Sequence, residues 1–249
     1  MATNNYKFIL AYEGTNYHGF QIQNNALTIQ ELLENALQKI YKQHIRVHPA
    51  GRTDRGVHAR GQVVNFKAPD YVPVNNLPAA LNSILPADII VYNASLVPDS
   101  FHARFNAKGK CYIYRLDLGA YPDLFWRRFA WHIPVKLDLE QMKEAAIYMI
   151  GRRDFASFQA AGSSTKDTVR ELYELSFSSN NQILSLTFKA DGFLYKMVRN
   201  ITGTLVDVGR GRIQLSAIPA LLEKKDRRYA GLTAPAHGLC LENVYYNPM

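Results

Sequence analysis

The chain has 249 residues, 47% of them hydrophobic, enough for one large domain or two ordinary ones and too many for global disorder. Lysine and arginine number 29 against 21 acidic residues, and the resulting net charge of +8 makes a polyanion the first partner to consider. With only Cys111 and Cys240, no apolar run of about 18 residues and no basic-then-apolar leader, the sequence argues against a disulfide framework, structural zinc, a membrane span or export, and a cytoplasmic protein is expected.

In chain order, strand-length apolar runs are predicted at residues 7–12, 45–50, 62–67 and 89–96. Between the first two lies a clear helix. Thr28 and Glu31 form a capping box, and Ile29, Leu32, Leu33, Ala36, Leu37 and Ile40 line one face. A shorter helix is expected over 76–84, ended by Pro86. In the second half, strands are predicted at 110–118, 171–177 and 183–190, with Ser178-Ser179-Asn180-Asn181 as the turn between the last two. Asp138 caps a predicted helix that runs to Ile150 and stops at Gly151. A second spans 193–208, a third begins at Ser216, and 239–246 reads as a final strand. Hairpin-joined strands mixed with helices indicate α+β, divided into domains of residues 1–105 and 106–249. The first 105 residues hold nine basic and seven acidic side chains, leaving 20 and 14 to the rest.

The segment Gly51-Arg52-Thr53-Asp54-Arg55-Gly56-Val57-His58-Ala59-Arg60-Gly61 sets one carboxylate among three arginines and three glycines. Glycines admit positive φ and close approach by another molecule, and a carboxylate held among cations suits a nucleophile better than a proton donor. The same pattern also reads as a surface turn whose Asp54 satisfies a neighbouring arginine. His58 either shapes this loop or contacts a ligand. Arg199, on the 193–208 helix with Lys196 and Asn200 among its polar positions, is a candidate for a partly buried ion pair or a solvent-facing arginine. Tyr112 and Tyr114 share one strand face near Lys108, Lys110 and Arg115, which suits stacking on an extruded base or an ordinary core rim. Phe125-Trp126-Arg127-Arg128-Phe129-Ala130-Trp131 suits RNA or an edge strand. His44 and His48 have a metal-pair spacing, but their neighbours read as a strand. No phosphate-binding loop, dinucleotide fingerprint or nucleophile elbow occurs, and Gly209-Arg210-Gly211 reads first as a helix stop.

Six ordered segments resemble the tRNA pseudouridine synthase I family, the TruA type: the Gly51–Ala59 loop, Phe101-His102-Ala103-Arg104-Phe105, Lys110-Cys111-Tyr112-Ile113-Tyr114, Asp154-Phe155-Ala156-Ser157-Phe158, Phe193 through Asn200, and Ala234-Pro235-Ala236-His237-Gly238-Leu239. Arg55 occupies a position that varies in the family, and Cys111 stands where threonine or arginine is expected. The resemblance implies two α+β domains, each with an antiparallel-rich mixed sheet flanked by helices, meeting at a basic cleft. It implies an isomerase that makes pseudouridine at positions 38, 39 and 40 of the tRNA anticodon stem-loop as a homodimer, with no cofactor, metal or membrane. Asp54 matches the family's catalytic aspartate, Arg199 the arginine that pairs with it, and Tyr112 the tyrosine against the target base. Arg52, Arg55 and His58 are expected to contact substrate.

This isomerisation breaks the bond from ribose C1′ to uracil N1, turns the base and joins C5 to C1′, so no water-activating base is required. Glycoside hydrolysis usually employs two carboxylates, and the loop presents one. A non-catalytic RNA-binding or RNA-chaperone protein is the alternative on charge and aromatics, but it has no evident use for an anion in a polyanion site.

Overall fold

Strand β1 (Thr3–Tyr12) forms because Tyr6, Phe8, Leu10 and Tyr12 alternate with less buried residues, and all four are buried on one face. The computed structural model describes residues 3–163 and 165–248. These pack into two compact units, one running through Lys108 and taking back the segment from Leu241 onward, the other comprising Gly109–Cys240.

In the first unit β1 pairs antiparallel with β3 (His58–Pro69), where the Tyr6 and Phe66 rings stack at 5.4 Å, and with β4 (Ile89–Val97) on its other side. The two-residue β2 (His48–Pro49) pairs with β3, and β10 (Leu239–Tyr245) lies beside β3 to give the order β4-β1-β3-β10. Helix α1 (Ile29–Tyr41) starts as its sequence dictates, with the Thr28 side chain accepting from the Glu31 N–H. Helix α2 (Leu77–Asn82) is shorter than the predicted 76–84. Asn82 ends it by exchanging two hydrogen bonds with the Val91 backbone, Nδ2 to O at 2.9 Å and N to Oδ1 at 2.8 Å.

Two expectations change here. The 45–50 strand reduces to β2, because the Val47 N–H donates to the buried Glu34 Oε1 at 3.0 Å instead of to a neighbouring strand. The 62–67 strand extends back to His58, so the last residues of the glycine-rich segment are sheet rather than loop.

The second unit has strands in the order β5-β9-β8-β7, from β5 (Gly109–Asp117), β7 (Gly151–Asp154), β8 (Val169–Asn180) and β9 (Ile183–Ala190), all paired antiparallel. The short β6 (Trp131–His132) runs parallel to β5, making the whole antiparallel-rich but mixed. Ser178 to Asn180 continue β8, and the turn narrows to Asn181, at φ +51°, and Gln182, which anchors to Asp117 Oδ1 at 2.8 Å. Helix α3 (Leu139–Ile147) is capped by Asp138, as expected, and stops before Ile150; the edge strand β7, unforeseen in the sequence, follows. Helix α4 (Met197–Gly209) packs on β5 and α3 and begins four residues later than predicted, because Lys196 adopts φ +58°. Helix α5 (Ile218–Lys224) follows a single 3-10 turn over Leu215–Ala217. No helix among the described residues is long and apolar enough to cross a membrane.

Almost every residue of α4 is buried, including Asn200, Thr202, Thr204 and Asp207. Its closest neighbour is backbone: a Cβ on Gly203 would stand 1.7 Å from the Leu232 carbonyl oxygen. Gly203→Ala is expected to cost at least about 2 kcal/mol of stability. Guanidinium denaturation measures it, and a wild-type midpoint would show that helix and segment part freely.

Candidate active site

The Asp54 loop hangs from the sheet by buried polar contacts. Before it, Ala50 N–H donates to Val63 O at 2.7 Å, and Gln62 Nε2 donates to Gly51 O at 2.8 Å. Thr53 is buried, with Oγ1 2.8 Å from the Tyr12 hydroxyl, which also accepts from Gln62 Nε2 at 3.3 Å. After the loop, Gly56 takes φ +77° and the Val57 N–H returns to the Asp54 carbonyl at 3.1 Å. This frame leaves Asp54 half-buried between Arg52 and Arg55, both exposed. His58 is 4% exposed, and its Nδ1 accepts the Gly14 N–H at 3.0 Å, so that nitrogen is the unprotonated one. Among the residues predicted from the first half, Asp54, Arg52 and Arg55 therefore lie together at the loop, while His58 is built into its base.

Residues 13–20 close the underside, and nothing in their sequence marks them for it. A Cβ on Gly14 would meet the Val57 carbonyl oxygen at 2.0 Å, and one on Gly19, at φ +92°, the Thr53 carbonyl oxygen at 2.7 Å. Phe20 N–H donates to that same Thr53 carbonyl at 3.1 Å, and Gly56 N–H to Tyr17 O at 3.3 Å. Of the three glycines inside the motif, Gly56 uses positive φ, whereas Gly61 sits in β3 under the Glu242 carbonyl, 2.3 Å from where a Cβ would lie.

In the second unit, Tyr112 and Tyr114 do share a face of β5. Tyr112 is buried, with its ring edge-on to Phe193 at 5.1 Å. Tyr114 donates its hydroxyl to Pro235 O at 2.7 Å, and Gly238 leaves room for its ring. Arg199, in the first turn of α4, is half-buried and donates Nε–H to Ala234 O at 2.7 Å, while its own carbonyl accepts the Ala234 N–H at 3.1 Å. Asn200, expected among polar helix positions, is fully buried. Its Nδ2 donates to Phe158 O at 2.8 Å, and its Oδ1 accepts from Thr233 Oγ1 and Arg227 Nη2 at 2.7 and 3.2 Å. Three of the resembling segments thus meet around the start of α4: the one ending at Phe158, the one ending at Asn200 and the one opening at Ala234. Residues 125–131 form turns ending in β6, with Phe125 90% exposed.

A model of the tRNA pseudouridine synthase family matches residues 9–106 and 145–247. The chain belongs to that family. The tRNA pseudouridine synthase A of Thermoanaerobacter sp. (strain X514) is 46% identical over 242 residues, which cover 97% of this chain and 99% of that one. The protein of the same name from Bacillus subtilis (strain 168) is 44% identical over 243 residues, 97% and 98% of the two chains. Among solved structures, a chain of a Cbf5-Nop10-Gar1 complex aligns with TM-score 0.38 and 11% identity over 95% of this chain and 49% of that chain, a likeness too loose to carry an argument. The family's matched stretches contain Asp54, Arg52, Arg55, His58 and Arg199, while Tyr112 falls between them.

Burial, and secondarily the charge of Arg199, hold the His237 imidazole below its ordinary value of 6.5, against an opposing hydrogen bond to the Ala130 backbone. With the folded-state value depressed, the unfolded chain takes up this proton first, so stability falls as pH drops below about 6.5. His237→Gln is expected to lose less melting temperature than wild type between pH 7 and 5, measured by thermal scans at matched ionic strength. Parallel losses would remove His237 from the acid response.

Proposed function

We propose that this chain converts uridine to pseudouridine at positions 38, 39 and 40 of the tRNA anticodon stem-loop, with Asp54 as nucleophile and without a cofactor. The observation that carries this reading is a single half-buried carboxylate, Asp54, held between exposed Arg52 and Arg55 on a loop inside the family match. A glycosyl isomerisation needs one nucleophile and no activated water, and one carboxylate is what the loop offers. Asp54 either attacks the sugar during C1′–N1 cleavage or acts on it afterwards.

To reach a carboxylate mounted this way, the target uridine leaves its stack, at a cost that contacts to the flipped base and the backbone offset. We assign the base contact to Tyr112, the steadying of negative charge to Arg199, and phosphate contacts to Arg52 and Arg55, with His58 holding the loop in shape. Binding through such arginines weakens steeply with salt. The enzyme acts in the cytoplasm as a homodimer. Nothing in the relatives supports a non-catalytic RNA chaperone.

Asp54→Ala is expected to abolish tritium release from C5-labelled uridine in tRNA while leaving tRNA affinity nearly unchanged; full activity would sink the assignment. In the same assay Tyr112→Phe and Arg199→Lys, which keep the ring and the charge, should bind tRNA and turn over slowly, and wild-type rates would remove their chemical roles. Light scattering with and without tRNA should give twice the chain mass; a monomer under both conditions overturns the homodimer.

A further inference from the structure

Residues 101–106, just before the second unit begins, are held more tightly than a surface connection requires. The buried Asn5 donates Nδ2–H to Pro98 O and Phe101 O at 3.0 and 2.8 Å, and the buried Asn65 accepts the Ala103 N–H at 2.9 Å. The Tyr246 hydroxyl donates to Ala103 O at 2.9 Å. Asn106 closes the segment on itself, its Oδ1 accepting His102 N–H at 2.7 Å and its N–H donating to His102 O at 3.0 Å. Phe101 turns inward, its ring 5.1 Å from Tyr246 beside Ala50 and Ala103, so the segment's apolar anchor is already supplied.

Phe105 is not needed for that core. It stands 75% exposed at the end of a column of rings: His48 to His102 at 5.2 Å, and His102 to Phe105 at 4.3 Å with 36° between planes. The Arg104 guanidinium lies 5.8 Å from the Phe105 centroid. The column's three members are flat rings with an arginine beside them. That chemistry matches a π-face with negative charge nearby, a nucleobase on its phosphodiester, better than it matches an apolar protein surface. Preorganisation strengthens the argument, since a platform whose backbone is already fixed loses little entropy when a base lands on it.

The column also stands close to Asp54 along the chain. His48 and Pro49 form β2, Ala50 packs with Ala103, and Gly51 opens the Asp54 loop. Six residue steps separate His48 from Asp54, a reach of no more than about 22 Å even when fully extended. We infer that the His48–His102–Phe105 column is a stacking platform for a second, unpaired nucleobase of the RNA whose uridine is presented to Asp54. This rests on the tRNA reading above and adds a site to it. The base on the platform is not the one that reacts; stacking it orients the strand that delivers the uridine.

The test uses the full-length protein and an unmodified tRNA transcript. Phe105→Ala should raise both KM and Kd about tenfold, within the roughly 5- to 150-fold span of stacking losses, with kcat within about twofold of wild type. Phe105→Trp, which keeps a larger ring, should stay near wild type, and its added emission over the Trp126 and Trp131 background should be quenched by an anticodon stem-loop RNA. That quenching measures the platform even where the alanine variant folds poorly. Wild-type KM in Phe105→Ala, or no quenching in Phe105→Trp, overturns the proposal. So does a change of mass by light scattering with RNA affinity unaltered, which would make the column a contact between chains. Should the wild-type protein neither bind nor modify tRNA, the parent reading fails and the platform with it; activity in wild type with an indifferent Phe105 sinks the platform alone.

Discussion

The backbone of residues 13–20 lies so close beneath the Asp54 loop that a hydrogen is all that fits on two of its α-carbons. Gly14 presses on the Val57 carbonyl and Gly19 on that of Thr53, the residues flanking the tip on either side. Everything above this contact follows from it. With its underside in van der Waals contact, its entry tied by Gln62 and the Tyr12–Thr53 pair and its exit by the Gly56 N–H on Tyr17 O, the loop cannot sag, and the backbone that carries Asp54 is held in place. The nucleophilic role proposed for Asp54 calls for such a mount, because errors of an ångström at a reacting atom cost orders of magnitude in rate.

The second unit solves a comparable problem with a different device. There a helix is sunk among its neighbours, and one asparagine ties three chain segments to its first turn. Asn200 cannot be exchanged for an apolar residue without stranding the buried Phe158 carbonyl, and it cannot ionise. Arg199, next in the chain, inherits its position from that knot and from the two-way pairing with Ala234. Fixed backbone therefore stands behind a carboxylate in one unit and a guanidinium in the other.

Much of this was legible in the residues themselves. The N-caps of α1 and α3, the alternation in β1 and the extent of β9 follow from local pattern, since nothing distant competes with them. The sequence misleads where a side chain takes over a backbone group or a residue turns left-handed. Glu34 captures Val47 and shortens a strand, Asn82 captures Val91 and ends a helix, and Lys196 goes left-handed and delays another. The motif around Asp54 announced itself by charge, but its supports did not. Gly14 and Gly19 look like ordinary turn glycines until the partner backbone is known, and the only hint was two glycines five residues apart after a strand. Asn200 reads only as one of the helix's polar positions for a related reason: helical periodicity assigns faces, and α4 has almost no exposed face to assign.

The first unit is discontinuous in sequence, with β10 returning to lie beside β3. A growing polypeptide emerges from its N-terminus, so the whole span from Gly109 to Cys240 is synthesised before residues 241–245 exist to complete the earlier unit. During that interval the flank of β3 that β10 will occupy has unsatisfied amides and carbonyls, the kind of edge that invites wrong partners. The lone carboxylate of the Asp54 loop is made early, yet the sheet that carries it is among the last parts of this protein to be finished.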